Sequence, residues 1–418
     1  MKIKKVFIFI FAIMLCSCGE LSDSIEGSNI SLNEQTLEQL QLTTNPTIIS
    51  EKKSTEYIPI NFTQQKSIWF TMMDYENILN GKTETEFTDS ITNLLEKIKN
   101  TGFNTVYVHI RPYNDSYYKS EIFPASANCS DDFDSFEIIL EKAHELNLSV
   151  HGWINPLRCQ KDSEIKSLDD KYFIKKWYDD EEKNGSYICK VDDRWYLNPA
   201  YEEVRDYITD GVKEIIENYD VDGIHIDDYF YPTQDESFDK EAFENSAESD
   251  LQQWRIGNIN IMVKGIYDTV KAFNPELLFG ISPQGNMNID YSTLYADVKK
   301  WCSEEGYCDY IVPQIYYGFK NENLPFEETV EQWKSENTCE DVYLVIGICT
   351  YKIGKEDKWA GSGKDEWIND KNIPSRQAEF VFENSCSTAI YSVETLFNEE
   401  NSDELNLLSE IFKNQEDL

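Results

Sequence analysis

The chain has 418 residues, 77 of them acidic and 38 basic, for a formal charge of -39. That excess repels nucleic-acid backbones and anionic lipid surfaces and favours solubility outside the cell, so no nucleic-acid partner is expected. Beyond the N-terminus no run reaches the roughly 18 consecutive apolar residues of a membrane-crossing helix.

The first residues, MKIKKVFIFIFAIMLCSC, place Lys2, Lys4 and Lys5 ahead of an apolar run from Val6 to Leu15. This is the layout of a secretory signal and is too short to span a bilayer. The ending Leu15-Cys16-Ser17-Cys18 resembles the bacterial lipoprotein box, whose last cysteine carries the lipid. Residues 1–17 are therefore expected to be a removed signal peptide, and Cys18 the lipidated residue and sole membrane anchor. From Gly19 to about Lys66 the chain is rich in Ser, Thr, Asn, Gln and Glu without a sustained period, so 18–66 reads as a lipidated tether. NFTQQKSIWF at its end already belongs to the folded part, and 67–418 forms one domain. Eight cysteines follow the anchor; export permits disulfides, but their spacing singles out no pairing and offers no Cys/His pattern for structural zinc.

Short apolar runs then alternate with amphipathic ones. Strands are predicted over 68–73 (IWFTMM), 105–110 (TVYVHI), 149–154 (SVHGWI), 223–227 (GIHID), 277–281 (LLFGI), 310–315 (YIVPQI), 342–348 (VYLVIGI) and 388–393 (TAIYSV). Apolar residues at i, i+3 and i+4 predict helices over 90–100, 133–146, 200–219, 250–273, 291–303, 326–334, 374–383 and 403–412. Strict alternation calls for a parallel sheet, and eight such units match an α/β (β/α)8 TIM barrel; a doubly wound open sheet is the alternative.

Side-chain parity separates the two. An open sheet buries apolar residues on both faces, whereas here one face of several strands is polar. Val106, Val108 and Ile110 oppose Tyr107, His109 and Arg111; Val150, Gly152 and Ile154 oppose His151, Trp153 and Asn155; Ile224 and Ile226 oppose His225 and Asp227. Ile311, Pro313 and Ile315 oppose Val312, Gln314 and Tyr316, and Tyr391 and Val393 oppose Ser392 and Glu394. The polar set gathers at the C-terminal strand ends, where barrel enzymes build their sites.

Asp227, Asp228, Glu394 and Asp74 stand at or just past strand ends and are the candidates for acid/base work. Two carboxyls can divide such work when one is held protonated beside an ionised partner. Asp227 leads by parity, whereas Asp228 points the other way if the strand persists. Three of the four histidines, His109, His151 and His225, share inward parity, which suits a saccharide site, a metal site with Asp227 or Asp228, or hydrogen-bonded core histidines. His144 reads as a surface residue. Arg111 is an inward cation for an anionic or amide oxygen, Asn155 and Gln314 offer amides for hydroxyls, and Tyr113, Trp153, Tyr229 and Tyr316 offer flat rings for sugar faces.

FNTVYVHIRPYNDSYYKSEIFPAS, HGWINPLR, YLNPAYEEVRDYI, VDGIHIDDYFYP, GISPQGN and YIVPQIYYGF together resemble the family-ten-like glycosyl hydrolases, bacterial envelope proteins often made as lipoproteins, over about 68–394. The resemblance implies a barrel glycosidase similar to enzymes that cut peptide-free peptidoglycan strands. It puts the catalytic carboxylate on Asp227 with Asp228 and implies substrate contacts from Arg111, Asn114, Asp115, Asn155, Arg158, Gln314 and Tyr316. The chain departs from the family pattern at His109-Ile110, where relatives read Q-V, and at Gln284, where they read F. Asp222 to Asp227 also resembles the α-amylase D-G-x-x-x-D motif, but GISPQGN lacks the glutamate amylases need.

The combined expectation is a cofactor-independent, lipid-anchored, extracytoplasmic monomer that hydrolyses a cell-envelope polysaccharide. Asp227 acts as nucleophile or base, Glu394 or Asp228 as acid, and His109, His151, Trp153, His225, Tyr229 and Gln284 complete the substrate-binding set. The rivals are a metal-dependent polysaccharide deacetylase and a non-catalytic glycan-binding lipoprotein.

Overall fold

The computed structural model describes residues 57–415; the expected signal peptide, Cys18 and most of the tether lie outside them. The strands are β1 (Lys66–Phe70), β2 (Thr105–Arg111), β3 (Ser149–Ile154), β4 (Arg158–Lys161), β5 (Ile188–Val191), β6 (Arg194–Leu197), β7 (Gly223–Ile226), β8 (Leu278–Ile281), β9 (Tyr310–Ile311), β10 (Tyr343–Cys349) and β11 (Ser387–Tyr391). β1-β11-β10-β9-β8-β7-β3-β2 close into a parallel barrel, so the TIM barrel is correct and the open sheet is not. The remaining three strands form a small antiparallel sheet, β4-β6-β5, inserted after β3.

Alternation along the strands builds two cores. Ile68, Phe70, Val106, Val108, Val150, Ile224 and Ile226 face the helices in the main cluster, whereas Trp69, Tyr107, Trp153, Tyr310, Val312, Val345 and Ala389 fill the barrel. Tyr310 needs Gly280 beneath it, because a Cβ there would lie 1.9 Å from the Tyr310 ring carbon Cζ.

Helices follow the predicted pattern, with differences that have local causes. The first strand stops at Phe70, because Thr71 caps a helix over Met72–Leu79 and Asp74 closes the capping box. The segment 291–303 is two helices, Met287–Thr293 and Val298–Ser303, each started by its own cap, Asn286 and Asp297. The eight cysteines after residue 57 are all free.

The folded body begins before residue 66. At the end of the barrel where the strands start, buried Asp222 accepts from Tyr57 Oη (2.7 Å), Ile60 N (2.6 Å) and Val150 N (2.6 Å) and lies 3.1 Å from His144 Nε2. Tyr57 stacks on His144, so that histidine holds the incoming chain and is not a bare surface residue.

Candidate active site

A cleft of about 550 Å³ opens at the C-terminal strand ends, and Asp227, Asp228, His109, Trp153, Arg158, Tyr229, Gln314, Tyr316 and Glu394 all line it. Asp227 continues the inward parity of His225 just past β7. Asp228 would point outward in an extended strand, but β7 ends at Ile226, and the turn brings Asp228 to Gln314, whose Nε2 donates to its Oδ1 at 3.3 Å.

Asp227 is 4% exposed and held by three groups: Asn155 Nδ2, 3.1 Å from both carboxyl oxygens; Trp153 Nε1 at 3.2 Å; and the Tyr229 amide at 3.2 Å. Because Asn155 points its amide hydrogens at Asp227, its carbonyl turns to His109 Nε2 at 2.6 Å, and that nitrogen must donate. Burial holds the His109 imidazole down at about 3, so it is a neutral donor, and its ring lies flat on Trp153 at 3.6 Å. The result is a directed relay, His109 to Asn155 to Asp227.

Burial, then the charge of Asp228, pushes Asp227 up to about 8. Burial also raises Asp228, opposed by hydrogen bonds from Gln314 and Gln284. Two adjacent carboxyls, one buried and one half-buried, cannot both ionise cheaply, so the pair keeps one proton through neutral pH and titrates as a unit. Arg158 lowers both members through its charge.

Across the barrel, β11 stands opposite β7. Glu394 reaches the cleft from the first turn of the helix Val393–Leu396 and is exposed at the rim. It arrives there by this turn and not by strand parity, because β11 ends at Tyr391 with Ala389 packed inside the barrel and Tyr391 against that inner cluster. Tyr391, expected to face the helices, therefore lines the cleft with Tyr316 and Tyr351, its ring 5.8 and 6.1 Å from theirs. Asp74, pushed up to about 6 by burial, stays in its helix cap at Thr71.

Several expected contacts lie elsewhere. His151 and His225 are 0% exposed and form the floor beneath the cleft. Trp69 Nε1 donates to His225 Nε2 (3.2 Å), leaving His225 Nδ1 to donate to Tyr310 Oη (3.1 Å), which donates to His151 Nδ1 (2.6 Å). Burial depresses both imidazoles, His151 to about 4, so they are neutral core groups with no face for substrate. Arg111 is 2% exposed and lies over Phe123 at 4.3 Å, on the helix side. A register shift between His109 and Arg111 breaks the alternation there and turns its side chain out of the barrel.

Asn114, at φ 61°, and Asp115 shape the loop behind Tyr113: the Asn114 carbonyl accepts from Gln160 and Asp115 Oδ1 from the Tyr113 amide. Asn155 acts through Asp227, and Gln284 through Asp228. Among the described residues no three His, Cys, Asp or Glu side chains are grouped to hold a metal ion. Trp69 and Tyr351 also line the cleft, although the sequence pattern gives no signal that separates them from packing residues.

The sequence profile described as Glycosyl hydrolase-like 10 matches residues 64–362. The chain is similar to Glycosyl hydrolase YngK of Bacillus subtilis (strain 168), 30% identical over 321 residues, or 69% of this chain and 60% of that protein. It thus spans less than two thirds of that relative. Glycosyl hydrolase DigH of Escherichia coli (strain K12) is 28% identical over 313 residues, 67% of this chain and 69% of the relative. Among solved structures, the PgaB (BpsB) glycoside hydrolase domain from Bordetella bronchiseptica has a TM-score of 0.54 at 10% identity, covering 82% of this chain and 99% of that one. The α-amylase from Geobacillus thermoleovorans complexed with acarbose has a TM-score of 0.53 at 11% identity, covering 84% of this chain and 78% of that one. At such identities these two speak for the barrel alone.

Proposed function

The chain belongs to the Glycosyl hydrolase-like 10 family, and from that premise we propose that it is a glycoside hydrolase that cuts a cell-envelope polysaccharide, namely the glycan strands of peptidoglycan once their peptides are gone. The observation that carries the reading is the adjacent pair of buried Asp227 and half-buried Asp228 on the wall of an aromatic-lined cleft, holding one proton where most carboxyls are ionised. Glycosidic cleavage needs a proton for the leaving oxygen and negative charge beside a sugar that becomes cationic, and such a pair offers both. Glu394, on the opposite wall, supplies a carboxylate to the other side of the sugar.

The relay from His109 through Asn155 keeps the Asp227 carboxyl in one orientation, while Gln314 does the same for Asp228. Tyr229, Tyr316, Tyr351 and Tyr391 present rings to sugar faces. The choice of peptide-free strands rests on the motif resemblance. Lipidation at Cys18 would hold the enzyme on the outer side of a membrane.

The test is release of new reducing ends from peptide-free peptidoglycan strands by the purified protein, beside Asp227→Asn and with EDTA present. Release that survives EDTA and is lost in the variant supports the reading. Strands that are bound but never cut would make the protein a glycan-binding lipoprotein.

A further inference from the structure

The cleft wall carries a second chemistry beside the aspartates. β4 and β6 pair antiparallel with Arg158 opposite Tyr196, and Arg194, two residues before Tyr196 on β6, shares that face. The Arg158 guanidinium lies 3.7 Å from the Tyr229 ring centre and 4.6 Å from that of Tyr113, and the Arg194 guanidinium lies 3.8 Å from the same Tyr113 centre. Two like charges are thus neighbours at one ring, within about a Debye length, ~10 Å at 0.1 M salt.

This happens in a chain with 77 acidic side chains against 38 basic ones, yet among the described residues neither arginine has an acidic side chain at ion-pair distance, and Arg158 acts on Asp227 and Asp228 only through its charge. Among the described residues the arginine that forms an ion pair is Arg255, with Asp239 at 2.6 Å. The nearby Asp193 is taken by Lys161 at 2.9 Å. Arg194 gives one N–H to the Cys159 carbonyl at 2.7 Å, whereas Arg158 Nε is buried with no acceptor. A guanidinium held over aromatic rings with an N–H unspent is suited to receive an oxyanion.

Arg158, Tyr113 and Tyr229 line the cleft with Asp227 and Asp228. We propose that Arg158, steadied by Tyr113 and Tyr229 and reinforced by Arg194, is a carboxylate subsite, so that the substrate is an acidic glycan whose carboxylate sits beside the aspartate pair. This rests on the glycosidase reading and narrows it. It also resolves a difficulty, since a strongly negative protein would repel an acidic glycan unless a local cationic site received it. Two sugar chemistries supply such a group: an ether-linked lactyl side chain, free once no peptide is attached, and the ring carboxylate of a uronic acid.

The experiment measures binding by the full-length Asp227→Asn protein, so that recognition is read apart from cleavage. The probes are peptide-free peptidoglycan strands, the same strands with their carboxylates converted to neutral amides, and polygalacturonate. One of the two acidic probes should bind at least about tenfold more tightly than the amidated strands, and which one identifies the source. Adding Arg158→Gln should abolish that preference, so that acidic and amidated strands bind alike, and Arg158→Lys should keep part of it. Equal binding of acidic and amidated strands, a preference that survives Arg158→Gln, or no binding of any probe would each overturn the proposal. The amidated probe needs no substitution at Arg158, so the test stands even if that variant misfolds. Wild-type cleavage runs alongside. Carboxylate-dependent binding without new reducing ends overturns the glycosidase reading and spares this one; cleavage with no carboxylate preference does the reverse.

Discussion

At the scale of single residues, Asp227 combines three hydrogen-bonding groups with almost complete burial, and burial wins: its carboxyl is pushed up to about 8. The consequence for stability has a definite sign. An unfolded carboxyl titrates near pH ~4, so between there and about 8 the folded protein binds a proton that the unfolded chain does not, and stability falls as pH rises. Asp227→Asn removes that burden. We expect the variant to lose at least about a hundredfold in cleavage rate, yet to melt higher than wild type by a few degrees at pH ~8. Calorimetric melting curves at acid and alkaline pH check this; a lower melting point at alkaline pH would mean that the carboxylate is stabilised in place. Asn155→Ala should reduce cleavage without abolishing it, because it frees the Asp227 carboxyl from His109 but leaves the Trp153 and Tyr229 donors.

At the scale of elements, strands whose periodicity held were legible and those with a local break were not. Ile224-His225-Ile226-Asp227 alternates without interruption, and parity alone put Asp227 in the site. Arg111 follows a register shift and faces the helices, so the same rule misplaced it. Asp228 escaped the rule because β7 ends at Ile226. The sheet that carries Arg158, Arg194 and Tyr196 has strands of four residues, too short for a period to show. His151 and His225 had the right parity but the wrong depth, and depth along a strand is not written in alternation. Their floor depends on Tyr310 lying over Gly280, which gives a sharp expectation: Gly280→Ala forces the ring aside and should cost about 3 kcal/mol in urea unfolding. Tyr310→Phe keeps the ring but strands His225 Nδ1–H and His151 Nδ1, for about 1–3 kcal/mol.

At the scale of the whole molecule, the incoming chain and the cleft occupy opposite ends of the barrel. Asp222 gathers Tyr57, Ile60 and His144 where the strands begin, whereas Asp227 and Asp228 stand where they finish. The described chain thus enters the barrel at Tyr57 on the face away from its cleft. Asp222→Ala should loosen residues 57–60, seen as rapid hydrogen exchange at the Ile60 amide, with cleavage retained because no cleft residue is touched. Loss of cleavage in that variant would mean that the strap supports the site through the barrel. The central claim is that one proton shared by Asp227 and Asp228 drives cleavage, and a pH–rate profile of reducing-end release tests it most directly. Wild type should lose activity above pH about 8. In Asp228→Asn the neighbouring charge that raises Asp227 is gone, so whatever activity remains should fall away at distinctly lower pH. An alkaline limb that stays in place in that variant would contradict the shared proton and the mechanism built on it.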